Sequence, residues 1–179
     1  KVPIIRDLEF LLDTQEIGEG LIVLSPGWET VLENNKQAFA LDFVSRLRFA
    51  TAFDATLTPA QFVDALFLNA AVTPTAAERT AAINEFGVAA TSADNAARAR
   101  ALRRVVDHAT FIQQETNRAF VLMQFFGYLR RNPNDFQDTD YTGYEFWLNK
   151  LNAAGGDYIK AEMVKAFIQS GEYRGRFGP

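Results

Sequence analysis

Cysteine is absent from the chain, and with it disulfides, thiolate metal ligation and thiol nucleophiles. Histidine occurs once, at His108, which leaves little material for an imidazole zinc site or a Ser-His-Asp relay. No apolar run approaches the roughly 20 residues of a helical membrane span. A Gly-rich phosphate loop, a nucleophile elbow and a metalloprotease helix are also missing. The formal charge of −4 argues against a general nucleic-acid binder. What the chain has in quantity is aromatic rings. Sixteen Phe and five Tyr stand among 179 residues that are 48% hydrophobic, enough for a sizeable core without cross-links. Most of these rings belong in a core, and those left exposed are candidates for partner contacts.

Helix punctuation is dense. Thr58-Pro59-Ala60-Gln61 combines a capping Thr, a first-turn Pro and a Gln at the third helical position. Thr75-Ala76-Ala77-Glu78 and Thr142-Gly143-Tyr144-Glu145 repeat the capping box, and Ser25-Pro26 opens a helix similarly. Gly87, Asn132-Pro133 and Gly155-Gly156 read as stops. These signals predict helices over about 27–34, 36–50, 59–70, 75–86, 95–109, 113–131, 143–153 and 158–170. Leu21-Ile22-Val23-Leu24 alone has the look of a short strand, and 88–94 reads as a loop.

One motif recurs at intervals of 62 residues, beginning at Phe43, Val105 and Phe167. Its copies are Phe43-Val44-Ser45-Arg46-Leu47-Arg48-Phe49, Val105-Val106-Asp107-His108-Ala109-Thr110-Phe111 and Phe167-Ile168-Gln169-Ser170-Gly171-Glu172-Tyr173. Ala40, Leu102 and Val164 precede them at one offset, which completes the apolar stripe of an amphipathic helix. The aromatic that closes each copy should fold back on the core after the helix ends. A second element repeats, with Phe62-Val63 through Pro74 resembling Phe120-Val121 through Pro133. The pattern predicts an all-α chain of three modules packed together: a truncated first module at 1–56, a second at 57–115 and a third at 116–179. The truncation, and Lys rather than Met at residue 1, predict a fragment or a processed product of a longer protein, whose upstream residues complete the first module.

The third module reads Phe125-Phe126-x-Tyr128-Leu129-Arg130-Arg131-Asn132-Pro133, then Gly143-Tyr144-x-Phe146-Trp147, and closes on Ser170-x-Glu172-Tyr173-x-x-x-Phe177-Gly178. In these features it resembles the bacterial domain of unknown function 4214 family. That family carries a Gly-Arg-x-Pro-Asp-x-x-Gly-type turn, a Tyr-Trp pair and a Ser-x-Glu-Tyr/Phe ending. The turn here departs from the family pattern, with Arg131-Asn132-Pro133 and a longer insert up to Gly143. The closing segment is also similar to the ending of phycobilisome linker domains, a helical assembly module. The resemblance implies a linker-like helical fold and a place in large secreted or surface-attached bacterial proteins. It assigns no molecular role by itself.

Asp138-Thr139-Asp140-Tyr141-Thr142-Gly143 matches the opening of a calcium loop, in which closely spaced oxygens suit a hard cation and Gly permits the turn. Asp138, Asp140, Thr142 and Glu145 are the candidate ligands; the twelfth position is Asn149 rather than a bidentate Glu. The alternative is a polar loop whose Asp residues form turns and whose Thr142 caps the next helix. His108 reads as a polar residue at a helix end, where the macrodipole favours its protonated form. Arg100, Arg103 and Arg104 share a helix face and Arg98 points elsewhere; they offer a surface for acidic partners or ion pairs with neighbouring acids.

These features lead to an expected function as a non-enzymatic interaction or assembly module of an extracellular or cell-surface bacterial protein. It binds protein partners or copies of itself, in one variant as a filament or layer. Phe49, Phe111, Trp147, Tyr173 and Phe177 are the expected packing and contact residues. The alternative is a calcium-dependent adhesion or stabilising module.

Overall fold

The computed structural model describes residues 7–178; residues 1–6 and Pro179, the outer ends of the first and third modules, lie outside it. The described residues form an all-helical fold with no strand. The helices are α1 (Asp7–Gly18), α2 (Trp28–Ser45), α3 (Leu47–Ala52), α4 (Pro59–Asn69), α5 (Ala76–Asn84), α6 (Asn95–Val106), α7 (Ala109–Gln124), α8 (Thr142–Ala153), α9 (Met163–Gln169) and α10 (Gly171–Gly175). A π-helical turn, Phe125–Leu129, extends α7. The described residues divide into two compact units, one of residues 12–112 and the other of 7–11 with 113–178.

The unit of residues 12–112 is built on phenylalanine. Helix α4 buries Phe62, Val63, Leu66 and Phe67 along one stripe, the spacing of an amphipathic helix. Phe43, Phe49, Phe53, Phe62 and Phe86 make a connected series of ring contacts, the closest pair (Phe49 and Phe53) 4.6 Å apart. The buried Ala97, Ala99 and Ala101 of α6 have no bulk to hold neighbouring helices away, and α2 packs along α6. Residues of the predicted first and second modules therefore share one core. Two of the three predicted capping boxes form, with Thr58 Oγ1 accepting from Gln61 N–H and Thr75 Oγ1 from Glu78 N–H, each at 3.3 Å.

The other unit packs α7, the π turn, α8 and α9 around Val121, Leu122, Phe125, Tyr144, Leu151, Met163 and Phe167. Phe10 joins this core through a ring contact with Phe126 at 5.7 Å. Tyr144 is fully buried, and burial pushes its phenol well above the ordinary tyrosine value. Gly156 closes α8 at φ 83°, its N–H donating to Leu151 O. A Cβ there would stand 3.1 Å from both Asn117 Oδ1 and Gln113 Nε2 of α7, so glycine is required for its conformation and for its lack of bulk.

The 62-residue motif is a helix–break–helix device. In its copies the N–H of Arg46, His108 and Ser170 donates to the carbonyl of Phe43, Val105 and Phe167. Then Ala50, Ile112 and Arg174 donate back to the carbonyls of Arg46, His108 and Ser170. The fourth motif residue thus ends one helix and starts the next, with an extended backbone at Arg46 (ψ 136°) and Ser170 (ψ 147°). Ser170 Oγ accepts from Tyr173 N–H, and His108 Nδ1 accepts from Thr110 N–H; Arg46 offers no side-chain cap. The closing aromatic does not trail behind a finished helix but lies in the first turns of a new one.

Several boundaries differ from the sequence reading. Leu21–Leu24 forms no strand. Leu21 and Ser25 donate to carbonyls three residues back, and Leu24 at φ 70° turns the chain out of extended geometry. The helices read at 27–34 and 36–50 are one helix up to Ser45. Asn35, between the two predicted ranges, lies within it and spends its amide on the carbonyls of Ile17 and Glu19 at the end of α1. Ser25 Oγ donates to Ile22 O, so it does not cap α2. The helix read at 158–170 begins only at Met163, because Asp157 Oδ1 accepts from Ile159 and Lys160 N–H and holds that stretch in turns. Helix α1 lies outside the ranges predicted to be helical.

Candidate functional site

Arg131 organises the unit that contains the third copy of the motif. The π turn ends at Arg130, which adopts the left-handed conformation (φ 59°) and swings the chain around so that Arg131 points inward. Its Nε donates to Glu172 Oε1 at 2.7 Å and its Nη2 to Glu172 Oε2 at 3.1 Å. Nη2 also donates to Asp138 Oδ2 at 2.7 Å, and Nη1 to the carbonyls of Asn132 and Pro133. The guanidinium lies 5.4 Å from the Phe125 ring centroid. The Glu172 carboxylate raises the Arg131 pKa above its ordinary value, against the opposing effect of burial. One half-buried cation thus ties together the end of the π turn, the loop before α8 and the first turn of α10.

Two of the four proposed calcium ligands, Asp138 and Asp140, are engaged by other groups. Asp138 is held by Arg131 and packs against Gly143, whose Cβ position would lie 3.7 Å from Asp138 Oδ1. Asp140 Oδ1 accepts the Thr142 N–H at 2.8 Å, which holds its carboxyl below the usual range. Thr142 is the first residue of α8 and not its cap; the capping position is Tyr141, which makes no side-chain cap. Glu145 is exposed in the first turn of α8. Among the described residues no three Asp, Glu, His or Cys side chains converge as a metal site would require.

The five expected contact aromatics separate by burial. Phe49 is buried, with its ring among Phe43, Phe53 and Phe62, so it belongs to the core and not to a contact surface. Phe111 is half-buried against the same core. Trp147 is half-buried with its ring 5.5 Å from Phe167, and Tyr173 is half-buried between Tyr128 and Phe177. Phe177 is 69% exposed. Three more rings that the sequence did not single out as contacts are exposed: Phe136 at 91%, Phe146 at 58% and Tyr158 at 45%. Phe136 follows an acidic residue in a loop with no helical period, so no pattern distinguished it from a core ring. Phe146 is adjacent to Trp147, and neighbours on a helix face different ways.

In the unit of residues 12–112, the arginine face of α6 is engaged by acids. Arg100 and Arg104 converge on Glu85, and Arg103 bridges Glu33 and Asp107. His108 Nε2 lies 3.5 Å from Glu78 Oε1, while its Nδ1 caps α7. These groups line an open cleft of about 590 Å³ in which cationic and anionic side chains already face each other. Arg98 points away from the cleft, into the core. Its Nη2 donates to Phe53 O at 2.5 Å and its Nη1 to Ser92 O at 3.3 Å, with the guanidinium 4.7 Å from the Phe62 centroid. Burial lowers the Arg98 pKa, and the charge of Asp54 only partly offsets this.

Comparison of the chain with protein-family models, with curated proteins and with solved structures yields no match. The likeness to the domain of unknown function 4214 family rests on the motifs quoted above.

Proposed function

We propose that the chain is a non-enzymatic interaction and assembly module of a secreted or cell-surface bacterial protein. The observation that carries this reading is the set of phenylalanines exposed in one unit: Phe136, Phe146 and Phe177. Large exposed aromatics are the residues that anchor protein interfaces, because each buries much area with few rotatable bonds. The segments that bear them are held by the Arg131 network and by the Trp147 and Tyr173 ring contacts, so little ordering accompanies binding. The motif resemblance supports the extracellular placement.

Sedimentation velocity, with negative-stain electron microscopy, tests this on the chain and on a Phe136→Ser/Phe146→Ser/Phe177→Ser variant. The expected result is concentration-dependent assembly of the parent chain that is lost in the variant at unchanged helicity. A parent chain that stays monomeric up to about 1 mM, or assembly indifferent to the three substitutions, sinks the reading.

A further inference from the structure

Charge is separated around the Arg131 network. From Asn132 to Asn149 the sequence has Asp135, Asp138, Asp140 and Glu145 and no Lys, Arg or His. Asp138 is neutralised by Arg131, whereas Asp140 and Glu145 are exposed and make no ion pair with the described residues. They flank the exposed rings of Phe136 and Phe146 in sequence. The other segment runs from Tyr173 to Gly178 and has Arg174 and Arg176 with no acid. Both arginines are exposed and form no ion pair with the described residues; Arg176 Nη1 donates to the Tyr128 carbonyl and stands over the Phe177 ring. The two segments are neighbours, because Arg131 bonds Asp138 of one and Glu172, the residue before Tyr173, of the other.

We infer that this surface binds a second copy of itself about a two-fold axis, the acidic aromatic half of each copy on the basic aromatic half of the other. The inference rests on the assembly reading above and gives it a partner and a register. A two-fold contact is isologous, so it needs a patch that carries both a feature and its complement. Here Asp140 and Glu145 are the complement of Arg174 and Arg176, and exposed phenylalanines accompany both. An unrelated partner would have to reproduce this arrangement in reverse; a second copy has it already. Charges at the edge of such a contact set register and encounter rate, and the rings supply the area removed from water.

The test is a charge reversal and its rescue, read by sedimentation equilibrium. The parent chain is expected to run as monomer and dimer, and association should weaken at least about tenfold when salt rises from about 0.05 to 0.5 M. Arg174→Glu/Arg176→Glu alone, and Glu145→Lys alone, should each be monomeric with circular dichroism unchanged. An equimolar mixture of the two should recover a discrete dimer, since one contact is then native and in the other the introduced lysine faces the introduced glutamates. Association lost in the triple serine variant but indifferent to charge reversal and salt overturns this inference and leaves the assembly reading standing. A mixture that stays monomeric also overturns it, as does one that grows past a dimer into chains. A parent chain that never associates overturns both.

Discussion

Each unit places an arginine against a core aromatic, and they accommodate its charge differently. Arg98 lies against the Phe62 and Phe49 rings, donates to two backbone carbonyls, and has a buried Nε with no hydrogen-bond partner. Arg131 lies over Phe125 and is chelated by Glu172 and gripped by Asp138. Carbonyl dipoles and ring faces solvate a guanidinium only partly, whereas two carboxylates neutralise it and fix its orientation. The first arrangement closes a core. The second also positions the loop and helix that display exposed rings, because its acids come from those segments.

The largest expected effect sets these arginines against each other. Arg131→Met leaves Glu172 and Asp138 facing each other without a cation. As both are partly exposed, the cost is about 2–3 kcal/mol, below that of breaking a fully buried pair. Arg98→Met strands two carbonyls but no charge, and adds apolar volume beside Phe62, for about 1 kcal/mol. Urea denaturation of both variants measures this; equal losses would erase the distinction. Gly156→Ala comes next, at about 1–2 kcal/mol, since it forces a Cβ onto a left-handed backbone and against Gln113 and Asn117. Hydrogen exchange should show the weakened amides in α7 and α8 and not in α4 or α6.

Acid provides a smaller test shared by both units. Asp64 beside Arg79, Glu78 in its capping box, and Asp140 and Asp157 in their turns all have carboxyls held below the ordinary range. A lowered folded-state value gives stability that is present above the unfolded value and lost as pH falls through the folded one. The melting temperature should therefore be level above about pH 5 and fall progressively below about pH 4. A melting temperature that rises on acidification would contradict these bonds. The smallest effect is expected from calcium: chelator or added calcium should leave the melting temperature unchanged, because Arg131 already occupies the Asp138 carboxylate. A calcium-dependent rise would mean that the ion displaces Arg131, and with it the contrast between the two arginines.

Much of this architecture is legible in local chemistry. Thr58 and Thr75 cap helices because their own turns satisfy the bonds, and the apolar stripe of α4 needs no distant residue to define it. The site was less legible. Arg131 and Glu172 are 41 residues apart, and nothing local marks them as a pair. Phe49 and Phe177 both fit as motif aromatics, yet one is buried and the other exposed. Asp138 and Asp140 have the spacing of metal ligands, but Arg131 claims one and a backbone N–H the other.

The sequence by itself determined the helical class, the capping boxes at Thr58 and Thr75 and the 62-residue recurrence, each written in local bonds or in the order of residues along the chain. Only the tertiary structure decided that the recurring motif is a break between two helices, which rings remain outside, and which acids Arg131 holds. Those outcomes depend on which distant side chains reach a given atom first, and a one-dimensional pattern does not contain that competition.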